Sequence, residues 1–196
     1  MITYKSFKEQ IKLYSDYDFT LLLLYSKIEI DILESEFDKF NYASILRSCG
    51  KYSEAEKIIN LVDQTKIPIQ NKARFFLELG FLYFEWGKND LAKVNFKNCI
   101  ENNTDSTAPF IFLSNILLEE EKVEESIQVL LKATSLKGDL DEVFYNLGTR
   151  YAILEQFEKS MDALIKCKKI SPDFNNIDQL IEDIQHCLEL NNTSNL

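Results

Sequence analysis

A period constrains this chain more than any other feature. Blocks that begin at Ala73, Thr107 and Asp141 align without a gap, 34 residues apart. Their fourth column reads Phe76, Phe110, Phe144, the seventh Leu79, Leu113, Leu147, and the eleventh Tyr83, Leu117, Tyr151. The twenty-fourth reads Phe96, Leu130, Leu164. Three columns stay small: Gly80, Ser114, Gly148 in the eighth, Ala92, Ser126, Ser160 in the twentieth, and Cys99, Ala133, Cys167 in the twenty-seventh. A less regular copy begins at Glu36 and puts Tyr42, Ala43, Leu46, Ala55, Ile59 and Val62 in the matching columns. A short insertion, with Pro68 nearby, separates it from the next block.

Columns four, seven, eight and eleven recur with helical spacing on one face, and columns twenty, twenty-four and twenty-seven on another. Short turns such as "CGKY" and "EWGKN" stand between them. Each unit is therefore predicted to be two antiparallel helices of about three to four turns each. The small columns mark where the two backbones approach, because a larger side chain there would overpack at a cost of about 1–3 kcal/mol. Gly148 sits inside a helix despite a penalty of about 1 kcal/mol against alanine, since the crossing needs a residue without a side chain. Pro172 stops the second helix of its unit, because its ring cannot continue the hydrogen-bond ladder.

Composition excludes several classes of function. The net charge of −10 disfavours nucleic acid, which rewards a basic face, and disfavours an anionic membrane surface. The start, "MITYKSFKEQIKLY", is charged throughout, and "FTLLLLY" is too short to span a membrane. Four cysteines stand far apart and the single histidine is His186, so a zinc site or disulfide framework is not expected. These features fit a cytoplasmic protein.

The 34-residue helix–turn–helix pattern resembles the tetratricopeptide repeat. The resemblance rests on "FYNLG", Tyr151, Phe157 and Pro172 in the unit 141–174, and on "LELGFLY" and Ala92 in 73–106. Units 107–140 and 36–72 follow more loosely. The resemblance implies an all-α, right-handed α-α superhelix of about four to five helix pairs. Residues 1–35 would form an N-terminal helical pair, either a degenerate repeat or a cap. In 175–196, Ile177, Leu180, Ile181, Ile184 and Leu188 share one face and would form a capping helix.

In this family the concave face is lined mainly by first helices. The resemblance places Phe40, Asn41 and Arg47 there from the first clear unit, and Arg74, Phe81 and Phe84 from the second. Asn115 follows from the third, and Tyr145, Asn146 and Thr149 from the fourth. The clamp with which some relatives hold acidic chaperone tails needs lysine and arginine in columns that here hold Phe40, Ala108 and Phe112. The face suits instead an apolar or amphipathic segment of another protein, with amides available to its backbone.

No nucleophile elbow, phosphate-binding loop or metal-ligand spacing occurs, so no catalysis, metal or cofactor is expected. Cys99 and Cys167 share a small column with Ala133 and read as buried hydrophobes. The acidic run "EEEKVEE" reads as a solvated turn, or as a dock for a basic partner through Glu120, Glu121 and Glu124. The main expectation is a non-catalytic scaffold or adaptor. A second is self-association through Leu21–Leu24, and a third is a subunit of an enzyme complex.

Overall fold

The computed structural model describes residues 35–194, and no strand occurs among them. The α-helices are α1 (Glu36–Ser48), α2 (Tyr52–Ile59), α3 (Ile69–Glu85), α4 (Asn89–Glu101), α5 (Ala108–Glu119), α6 (Val123–Ala133), α7 (Leu140–Ile153), α8 (Phe157–Ile170) and α9 (Ile177–Ser194), with a short 3-10 turn at Gln64–Lys66. Helices α1 and α2 pack together, as do α5 with α6 and α7 with α8, and α9 packs on α8. The fold is an all-α helix-pair solenoid. The described residues divide into two compact units, the first ending at Asn95 and the second beginning at Phe96, with the boundary inside α4. The helical pair expected before Ser35, including Leu21–Leu24, lies outside the described residues.

In the first unit Ser35 caps α1, its hydroxyl oxygen accepting from the Asp38 amide at 3.2 Å. The core is Phe40, Leu46, Ile59, Phe75, Leu79 and Leu82. The inserted residues form a pinned loop: Asp63 accepts from the Thr65 amide at 3.0 Å, and the Glu36 carboxylate accepts from the Asp63 amide at 2.6 Å. The Lys39 hydrogen bond and then that amide hold the Glu36 carboxyl below its usual pKa. Pro68, at φ −55°, leads into α3, which starts at Ile69, ahead of the repeat boundary expected at Ala73.

In the second unit Leu130, Ala133, Val143 and Leu147 make one cluster. Leu164 and Cys167 of α8 pack in one cluster with Ile177 and Ile184 of α9. The small columns lie at helix crossings. The Ser126 hydroxyl donates to the Ser114 carbonyl at 2.9 Å, and the Ser160 hydroxyl donates to the Gly148 carbonyl at 2.8 Å. A serine in the twentieth column is thus both small enough for the crossing and hydrogen-bonded across it.

The four turns inside the helix pairs share one geometry. After α3 the Gly87 amide donates to Phe84 and the Lys88 amide to Tyr83, a Schellman closure. The same two bonds recur at Gly50 and Lys51, at Glu121 and Lys122, and at Glu155 and Gln156. The first residue of each pair has positive φ: 71° at Gly50, 74° at Gly87, 61° at Glu121 and 55° at Glu155. A left-handed backbone costs a residue with a Cβ about 1–2 kcal/mol, against about 0.4–1 kcal/mol of extra unfolded-state entropy for glycine. Glu121→Gly and Glu155→Gly are therefore each expected to stabilise the fold by about 0.5–1 kcal/mol. A rise in the urea midpoint at constant slope would show it, and a fall would refute it.

Candidate partner-binding face

In the first unit the expected face is largely engaged with itself. Arg47 pairs with Glu78 at 3.3 Å and with Glu85, and Ser44 donates to Glu78 at 3.2 Å. The Arg47 guanidinium also lies 5.6 Å from the Phe81 ring centre. Phe40 does not present itself to a partner: it is 4% exposed, packed 5.8 Å from Phe75, with the Arg74 guanidinium 5.7 Å from its ring. Asn41, Phe81 and Phe84 are half-buried, and Arg74 is exposed. Trp86 plugs the turn, stacked 6.2 Å from Tyr52 with the Lys88 ammonium 3.3 Å above its ring.

In the second unit, three expected residues gather around one that sequence reasoning missed. Arg150 donates to the Asn146 side-chain oxygen at 2.8 Å, to the Thr149 hydroxyl at 2.9 Å and to the Asn115 side-chain oxygen at 2.5 Å. The Thr149 hydroxyl in turn donates to the Asn146 carbonyl at 2.9 Å. Arg150 is 5% exposed and its Nε has no partner. Burial lowers the pKa of its guanidinium from the usual value. Asn146 is 8% exposed, and its side-chain oxygen holds Arg150. Tyr145 is half-buried, its ring 5.2 Å from that of Phe174. The signal for Arg150 was in the sequence: in the tenth column the other units carry Ile45, Leu82 and Ile116.

Cys99 and Cys167 are fully buried, and burial pushes each thiol up to about 11. They remain protonated at neutral pH and are poor nucleophiles. In the acidic turn Glu120 pairs with Lys122 at 2.8 Å, while Glu121 and Glu124 are exposed. His186 is exposed on α9. Among the described residues no group of histidine, cysteine, aspartate or glutamate could hold a metal ion, and no helix is long and apolar enough to cross a membrane.

The tetratricopeptide-repeat family model matches residues 73–106 and 141–174. No curated protein matches the chain. Among solved structures, the chain is similar to MamA at 22% identity and TM-score 0.65, over 76% of this chain and 85% of that one. It is similar to the C-terminal part of a TPR repeat-containing protein from Cytophaga hutchinsonii at 17% identity and TM-score 0.72, over 87% and 66%. It is also similar to YrrB, described as a TPR protein with an unusual peptide-binding site, at 15% identity and TM-score 0.66, over 84% of each chain. At such identities the likeness is one of fold. The two matched blocks are the same two that carry the strongest columns in the sequence, and each of them is a tetratricopeptide repeat.

Proposed function

We propose that this chain is a non-catalytic interaction module that holds a segment of another protein against its first helices. The observation that carries the reading is the cluster of Asn115, Asn146 and Thr149 on α5 and α7, with the half-buried Tyr145 next to Asn146 in the chain. Aromatic residues are enriched where proteins meet, and amides can bond to a partner's backbone. YrrB, of the same fold, has a peptide-binding site by its own description, which supports the reading here.

A photo-crosslinking residue placed at Thr149 tests it, with Gln128 on the exposed side of α6 as the control position. Partner cross-links are expected from Thr149 and not from Gln128. Cross-links confined to Gln128 would overturn the reading.

A further inference from the structure

A groove of about 400 Å³ lies between α6, α7 and α8, wholly within the second unit. Its floor is apolar, made by Leu131 at the end of α6 and by Phe144, Leu147 and Tyr151 of α7. Leu131 is 40% exposed and both aromatic rings are half-buried, so part of this floor faces water. Covering it is favourable by about 25 cal/mol for each Å² of apolar surface.

Helix α8 supplies a charged rim. The Lys166 ammonium stands 5.5 Å from the centre of the Phe144 ring, and the Lys159 ammonium 5.6 Å from that of Tyr151. Each ring attracts its cation and so keeps it over the groove. Two helical turns, about 10 Å, separate the two lysines. Lys159 donates to the Gln156 side-chain oxygen at 2.9 Å. Lys166 has neither a hydrogen bond nor an ion pair among the described residues. Asp162 lines the groove between them and repels an anion from the middle of the rim. Two cations against one anion reverse the balance of a chain with 32 acidic and 22 basic residues.

We propose that this groove binds a small amphipathic anion, free in solution, with one apolar chain and a single anionic head. The head meets the Lys166 ammonium, and the chain lies over Phe144, Leu147 and Tyr151. A neutral chain would cover the floor and leave Lys166 without a counter-charge. A bare anion would reach Lys166 and leave the floor wet. An amphipathic anion answers both. Size also favours a small molecule over a helix from another protein. Two helical turns about 10 Å across fill about 800 Å³, twice the space here. Small-molecule sites run from about 300 to 1,000 Å³. The groove shares no residue with the cluster around Arg150, so the proposal stands independently of the interaction reading above.

The probe is octanoate. Its controls are octan-1-ol, a chain without charge, acetate, a charge without a chain, and octyltrimethylammonium, with the charge reversed. The readout is the ring signals of Phe144 and Tyr151 in an NMR titration of the full chain. Octanoate is expected to shift both signals saturably, with an affinity about tenfold above that of each control.

Lys166→Gln keeps much of the side chain's length and removes its charge. Lys166 holds no bond that the fold needs, so the melting temperature should not change. Octanoate affinity should fall about tenfold, to the level of octan-1-ol. Leu131→Gln places an amide on the exposed edge of the floor and should weaken octanoate and octan-1-ol alike. No saturable shift, any control that binds as tightly as octanoate, or undiminished octanoate binding in Lys166→Gln would each overturn the proposal.

Discussion

Gly148→Val is expected to lower the melting temperature by about 10 °C, equivalent to about 3 kcal/mol in a chain of this size. A Cβ at this position would stand 2.6 Å from both Cγ and Cδ2 of Leu164, and 3.4 Å from the Ser160 carbonyl oxygen. Leu164 is fully buried, with α9 packed over it, so it has no empty space to enter. Relief requires α7 and α8 to separate, which breaks the Ser160 hydroxyl bond to the Gly148 carbonyl. Leu164→Ala alone is expected to cost about 2–5 kcal/mol through the cavity it leaves. Combined with Gly148→Val the loss should be well below the sum, since the valine fills that cavity. Strict additivity in urea denaturation would mean that the two residues do not meet.

Phe96→Ala is expected to cost about 3–5 kcal/mol, the largest loss among single truncations here. Phe96 is fully buried on α4 and stacks 5.7 Å from Phe112 at an interplanar angle of 28°. Truncation removes the burial of a whole ring and its stacking on Phe112. Phe96→Leu is the informative control, because Leu130 and Leu164 occupy the same column in the later units. It should cost less than about 1.5 kcal/mol. Equal losses for the two substitutions would mean that the ring's shape, rather than its volume, fills the site.

The helix pairs were legible in the sequence because their crossings demand small residues at a fixed spacing, and the serine bonds from Ser126 and Ser160 show how strict that demand is. Two largely buried columns escaped notice. The third holds Asp38, Phe75, Pro109 and Val143, too mixed to read as one face, yet all four are buried. The tenth is apolar until Arg150 interrupts it, and the interruption marks the polar cluster of the second unit. Phe40 was misjudged for another reason. A period within one helix says which residues share a face, but not that Phe75 of a later helix will close over that face. The turn residues Glu121 and Glu155 carried no signal at all, since neither is a type that favours a left-handed backbone.

Those turns have a consequence of their own. Each reversal carries the same pair of amide-to-carbonyl bonds, so the side chains around it are free to differ from corner to corner. Trp86 and Lys88 form a ring-and-cation pair at one such corner, while Lys122 and Glu120 form a charged pair at another. The corners are places where surface chemistry can be rewritten residue by residue while the rods they join stay in step.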